Sequence, residues 1–356
     1  MIRVGIVNDL RIAVEALKRA LAAMPDAAVA WVAEDGRQAV DRCREDPPDV
    51  VLMDMIMPVM DGVEATRRIM AATPCPILVV TATVEGNASK VFEALGAGAL
   101  DAVATPVLGA DGRVVNADAL IRKIRAVALL AGSTGVQEAA AATPASSTAA
   151  MPQPSMLAIG SSTGGPFALS VVLKALPRPA PWPIVVVQHV DESFAAGLAS
   201  WLSSETGHLV EIIPPGQAPQ PGKVHLAATG DHLLMGAGGR LRYSAWPIEK
   251  VYRPSVDVFF DSLLSGAAPG VAVVLTGMGR DGALGMSRLR TAGWHTIAQD
   301  QATSVVWGMP GACVELGAAV QTLPLNEIGP TIAVRMMAGS LPSPKSTKAS
   351  PDPRLP

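Results

Sequence analysis

The 356-residue chain has only three cysteines, Cys43, Cys75 and Cys313, an odd and scattered number with no CxxC pair. That excludes a disulfide framework and a cysteine-ligated zinc site, and it suits a reducing compartment. Excess positive charge is also missing. The 28 Lys and Arg against 31 Asp and Glu give a formal net charge of −3, which is no electrostatic footprint for nucleic acid. No apolar run approaches the roughly 18 residues of a membrane span. The opening MIRVGIVNDL lacks the cationic and apolar regions of a secretory signal. The expectation is a cytoplasmic protein that neither binds nucleic acid nor inserts into a membrane. What the chain does have is apolar side chain, 49% hydrophobic against 17% charged. That is ample for sizeable cores in a chain too long for one average domain.

Two stretches break the pattern. Residues 132–155, GSTGVQEAAAATPASSTAAMPQPS, have linker chemistry: small residues, almost no charge and no helical apolar period. Residues 338–356 are rich in Pro, Ser and Lys and read as a disordered tail. Two globular blocks remain, 1–131 and 156–337.

The first block alternates buried-strand runs (IRVGIV, AVAWVA, DVVLMD, PILVVT, ALDAVA) with helix-period segments such as AVEALKRALAA and ALIRKIRAVALL. Five βα units imply a doubly wound parallel sheet with its functional rim at the strand C-terminal ends. Asp9, Asp54 and Thr81 fall at three of those ends. Two carboxylates and a hydroxyl there suit a hard cation and a phosphoryl group, whereas the plain alternative is acids that cap nearby helices.

The second block begins alike, with strands SMLAIG, PIVVVQH, GVAVVLT and GWHTIAQD, and the glycine-punctuated stretch 214–245 reads as an antiparallel hairpin annex. After its first strand comes AIGSSTGGP, in which GSSTG fits the G-x-S-x-G turn that exposes a serine hydroxyl, Ser162. A glycine-rich turn that merely starts a helix is the commoner cause of such a match, and serine is inert without a base. Of five histidines, His189 ends a near-continuous apolar strand one βα unit later; His208, His225, His232 and His295 read as packing or surface residues. Asp281 follows the strand at 271–276 and would hold the imidazole. Amides of the TGMG turn, Met278 above all, are candidate oxyanion donors. The same turn also matches G-x-G-x-x-G (Gly277, Gly279, Gly282), with Asp300 about 20 residues on, a dinucleotide fingerprint on its face. It stands in the wrong βα unit, and too little chain follows for a second nucleotide-binding half.

At Asp9, Asp54, Thr81 and the MPVMDG turn, the first block resembles a response-regulator receiver domain. The resemblance implies Asp54 as phosphoacceptor from a CheA-type histidine kinase, Asp9 and Asp54 as Mg²⁺ ligands, and Thr81 as a phosphoryl contact. Two departures stand out: Asn8 where an acid is usual, and Thr105 where a lysine is usual before Pro106. Lys90 and Lys123 are the candidates to replace that ammonium.

With GSSTGGP, VVVQHV, YRPSVDVFF, VVLTGMGRDGALGM and AQDQATSVVWGMP in order, the second block resembles the catalytic domain of CheB-type chemotaxis methylesterases, with Ser161 and Thr229 as small departures. This implies Ser162 as nucleophile, His189 as base and Asp281 as orienting acid, with no cofactor for the esterase. The implied activity is hydrolysis of glutamate methyl esters, and deamidation of glutamines, on methyl-accepting receptors. VND, AVEALKRAL and the missing lysine are similar to the WspF-like branch, whose output is a diguanylate cyclase. The competing class is a non-catalytic regulator that docks receptors and kinase without turnover.

Overall fold

The computed structural model describes residues 1–81, 84–109, 114–115, 117–131, 155–227 and 229–337. The expected linker, Ser155 apart, and the expected tail lie outside the described residues.

In the first block, β1 (Ile2–Val7), β2 (Ala27–Ala33), β3 (Val50–Met53), β4 (Ile77–Thr81) and β5 (Asp101–Ala104) form one parallel sheet in the order β2-β1-β3-β4-β5. Helices α1 (Arg11–Ala22), α2 (Gly36–Glu45), α3 (Gly62–Ala72), α4 (Val84–Gly96) and α5 (Ala117–Ala131) connect and follow the strands. A two-residue ladder, β6 (Val107–Leu108) with β7 (Val114–Val115), precedes α5. The strands read as continuous apolar runs because both faces are buried. Along β3, Val51 and Met53 join one core while Val50 and Leu52 join the other. Cys43 and Cys75, far apart in sequence, meet as buried free thiols with their sulfurs 4.0 Å apart.

The second block holds seven parallel strands: β8 (Leu157–Ser161), β9 (Ile184–Gln188), β10 (Leu209–Ile212), β11 (Lys223–Leu226), β14 (Val271–Val274), β15 (His295–Gln299) and β16 (Gln321–Leu323). Their order is β10-β11-β9-β8-β14-β15-β16. Helices α6 (Gly165–Lys174), α7 (Glu192–Thr206), α8 (Val256–Gly266), α9 (Ala283–Thr291), α10 (Met309–Glu315) and α11 (Leu325–Met337) complete the unit. The annex is smaller than its sequence suggests. Only β12 (His232–Met235) and β13 (Leu241–Ser244) pair antiparallel, whereas Lys223–Leu226 enters the main sheet parallel to β9 and β10. The reason is burial: Val224, His225 and Leu226 are almost fully enclosed, which suits an interior strand and not a solvated hairpin.

Strand order reverses between β8 and β14, so the crevice past their carboxyl ends is the switch point where such sheets bind ligands. Against that end rests the first block. The Phe92 ring of α4 lies 5.9 Å from Trp201 of α7. Gly164 N donates to Leu100 O at 2.9 Å, and Thr163 Oγ1 donates to Asp101 Oδ2 at 3.0 Å.

Candidate active site and phosphoacceptor pocket

Ser162 emerges as β8 ends, and His189 as β9 ends. Ser161 and Gln188 are register partners in adjacent parallel strands, so the next residue on each strand reaches the same rim. Two further contacts bind these ends together. His189 N donates to Ser161 O at 3.0 Å. The Gln188 amide donates to Ser162 O at 2.9 Å and to His189 O at 3.1 Å, while its oxygen accepts from Ser161 Oγ at 2.6 Å. The turn needs its glycines. Gly164 has φ +77°, and a Cβ on Gly165 would stand 2.0 Å from the Gln188 oxygen.

Asp281 Oδ2 lies 2.8 Å from His189 Nε2, both side chains buried. Asp281 also accepts from Ser255 Oγ at 2.7 Å, Val256 N at 2.6 Å and Asp257 N at 3.1 Å. Burial alone pushes its carboxyl up; the bonds from His189, Ser255 and the α8 amide outweigh that and hold it below the usual carboxylate range. It is therefore an anion built to stay an anion. The imidazole is used with its nitrogens in a defined sense: Nε2 faces the carboxylate, and Nδ1 is buried without a partner among the described residues. Nδ1 is thus the nitrogen left to accept a proton. No hydrogen bond joins the Ser162 hydroxyl to it among the described residues, and such contacts tighten only with substrate.

Sequence reasoning passed over the supports of this pair. Tyr252 stacks on His189 with ring centroids 4.3 Å apart and planes 5° from parallel. Ser255 caps α8 and bonds Asp281 at once. His232, read as a packing residue, is fully buried and accepts from Ser255 N through Nδ1 at 3.1 Å. The signal was present in YRPSVDV, a serine N-cap before a helix, but nothing local says which carboxylate that cap would meet.

The TGMG turn passes close to the serine. A Cβ on Gly277, the residue before Met278, would lie 2.7 Å from Ser162 Cβ and 2.4 Å from Met309 Sδ. The same packing removes the dinucleotide reading. Gly277, Gly279 and Gly282 abut Ser162, Tyr252 and Val256 respectively, so these glycines serve the packing of the turn against the protein's own side chains. Asp300 instead binds Thr303 N and Oγ1.

In the first block, Asp54 follows β3, buried, and Asp9 stands exposed after β1. Thr81 ends β4, with its carbonyl accepting from Thr105 N at 2.9 Å. Burial, reinforced by the Asp9 charge and only partly offset by the Met55 amide, pushes the Asp54 carboxyl up to about 6. The Asn8 oxygen accepts from Leu10 N at 2.8 Å, holding the turn into α1. Neither candidate lysine is held at the pocket. Lys90 pairs with Asp61 at 3.1 Å, and Lys123 with Asp101 at 2.6 Å and Ala102 O at 2.7 Å. The Thr105 hydroxyl is buried with no partner among the described residues.

The chain is similar to known proteins over nearly its whole length. Residues 157–332 match the model of the CheB methylesterase family, and residues 4–112 match the response regulator receiver domain. A "protein-glutamate methylesterase/protein-glutamine glutaminase 2" of Burkholderia lata is 52% identical over 336 residues, 94% of this chain and 98% of that one. A counterpart from Pseudomonas fluorescens is 51% identical over 331 residues, 93% and 98% of the two chains. The crystal structure of the Thermotoga maritima CheB methylesterase catalytic domain is 36% identical, covers 51% of this chain and 97% of its own, and superposes with a TM-score of 0.47.

Proposed function

Because the chain belongs to the CheB-type family of protein-glutamate methylesterases/protein-glutamine glutaminases, we propose that it removes methyl esters from glutamate side chains of methyl-accepting receptors. It also deamidates receptor glutamines, in the cytoplasm, as the adaptation enzyme of a chemosensory pathway. The observation that carries this reading is the buried Asp281–His189 pair at 2.8 Å, with a bare Nδ1 on the rim it shares with Ser162.

The steps follow from the groups present. Ser162 Oγ attacks the ester carbonyl while His189 Nδ1 takes its proton, and Asp281 stabilises the resulting imidazolium through Nε2–H. The Met278 amide donates to the oxyanion; one such donor contributes roughly 3–4 kcal/mol to the transition state. His189 returns the proton to the departing methoxide, which leaves as methanol. Water then attacks the acyl-serine with His189 as base, freeing the glutamate and the Ser162 hydroxyl. With a glutamine substrate the leaving group is ammonia.

Asp54 is the phosphoacceptor, charged by a CheA-type histidine kinase. Asp9 and Asp54 suit a divalent cation: burial raises the Asp54 carboxyl and the neighbouring Asp9 charge adds to it, and a Mg²⁺ ion would neutralise that pair of charges. When bound, the ion would supply positive charge to the phosphoryl oxygens. With an amide at Asn8 in place of an acid, the set is one carboxylate short, and metal binding is correspondingly weak. The Leu100 and Asp101 contacts to the elbow support a resting state in which the receiver covers the serine, with phosphorylation favouring the uncovered site. The resemblance of VND, AVEALKRAL and the missing lysine before Pro106 to the WspF-like branch supports a pathway whose output is a diguanylate cyclase. Methanol release from methylated receptor tests the whole reading. The wild type releases it and Ser162→Ala does not; equal release by both would remove the triad assignment.

A further inference from the structure

Trp246 is out of place. Four of the six tryptophans are buried to within 9% exposure, yet Trp246 is 68% exposed. Two other large apolar side chains stand out within the next five residues, Ile248 at 50% and Val251 at 79%. Single exposed apolar residues need no explanation, but a run of three around a tryptophan marks a contact surface.

The segment is not loose. Ser244 Oγ accepts from Trp246 N at 3.2 Å, His232 Nε2 meets Pro247 O at 3.0 Å, and the Arg253 guanidinium donates to Ile248 O at 2.5 Å. The backbone is thus tied to the buried His232 at one point and braced within the segment at two more, while the apolar side chains are left out, so little ordering remains to oppose a partner. The segment also runs into the active site. Val251 precedes Tyr252, whose ring covers the His189 imidazole.

We propose that Trp246, Ile248 and Val251 form the docking surface for the receptor helix that carries the ester. This rests on the methylesterase reading above. The choice of occupant follows from reach. A glutamyl side chain extends only about 4 Å from Cα to its carboxyl carbon. A receptor whose ester meets Ser162 therefore lays its own helix, about 10 Å across, over the rim of the crevice. An amphipathic helix offers apolar side chains beside its acidic ones. Along residues 242–253 the charged groups are Arg242, Lys250 and Arg253 against one acid, Glu249, which complements a glutamate-bearing face. Trp246 would be the anchor, tryptophan being the residue type that most often dominates such contacts.

The test compares two substrates and adds a binding measurement. Trp246→Ala and the double variant with Val251→Ser are assayed on methylated receptor and on a short peptide carrying one glutamate γ-methyl ester. Turnover of receptor falls about tenfold or more, through KM, while turnover of the peptide stays within about twofold. Equal loss on both substrates, or none on receptor, overturns the proposal. So does a gain on the peptide, which would show that the patch is covered by another part of this chain. Binding of receptor by Ser162→Ala protein, with and without Trp246→Ala, reads docking without turnover. Receptor bound equally by both also overturns it, whereas wild-type protein that binds receptor but hydrolyses neither substrate indicts the esterase reading alone.

Discussion

Two aspartates stand at the C-terminal ends of parallel strands, one in each sheet, and their surroundings drive them in opposite directions. Asp281 is buried among four donors and stays below the ordinary carboxylate range. Asp54 is buried with scant hydrogen bonding beside the charge of Asp9, and rises to about 6. Turns that follow parallel strands therefore hold one carboxylate as a fixed anion and leave the other able to take up a proton. The number of donors each carboxylate meets decides which.

Amide substitutions separate the two most sharply. Asp281→Asn lowers kcat for ester hydrolysis about 10³–10⁴-fold, the size of effect seen when a triad aspartate is lost. Asp54→Asn leaves the unphosphorylated esterase within about twofold and abolishes the mass increment from acetyl phosphate. Parallel kinetics and intact-mass measurements on both variants check the contrast.

Next comes the donor count itself. Ser255→Ala removes one of the four bonds to Asp281 and opens the N-cap of α8. It should cost about 1–3 kcal/mol of stability and lower kcat with KM little changed, as read by thermal melts and by hydrolysis of a small ester.

Asp101→Ala addresses the contact between the domains. Asp101 accepts from Thr163 next to the nucleophile and from Lys123 in its own domain. Its loss releases the receiver from the elbow, and basal hydrolysis by unphosphorylated protein rises severalfold. An unchanged basal rate would show that this contact does not restrain the site.

The smallest effect is on titration. In the metal-free protein the Asp54 carboxyl takes up a proton with a midpoint near 6, read from its side-chain 13C shift as pH is varied. Its folded value lies above the unfolded one near 4. The native state therefore binds the extra proton between those values, and receiver stability declines as pH rises from about 4 to 6. Asp9→Asn removes the like charge and moves both midpoints to lower pH, with the carboxyl titration read by NMR and stability by denaturant melts.

Much of this was legible in the sequence, for a physical reason. Strands buried on both faces must be continuous apolar runs, so β1, β3, β4, β8, β9 and β14 could be placed within a residue or two, and strand-end residues such as Asp54, Ser162 and His189 with them. What could not be read was long-range partnership. Lys223–Leu226 looks like half of a hairpin between glycines and prolines, and only its pairing between β9 and β10 makes it a core strand. Ser255 and His232 show no local sign that they brace Asp281 from 26 residues away and through each other. The proton-accepting nitrogen of His189 is likewise fixed by Asp281, not by neighbours in the chain. Lys123 was a reasonable substitute for the missing lysine until the fold gave it to Asp101.

Every step of the proposed reaction depends on Ser162 acting as a nucleophile activated by a histidine that Asp281 holds through Nε2. Labelling with a fluorophosphonate, followed by peptide mass mapping, tests it most directly. A single adduct on Ser162 in the wild type, abolished by His189→Ala and strongly slowed by Asp281→Asn, is the expected result. An adduct on another residue, or one on Ser162 that forms at the same rate without His189, would contradict it.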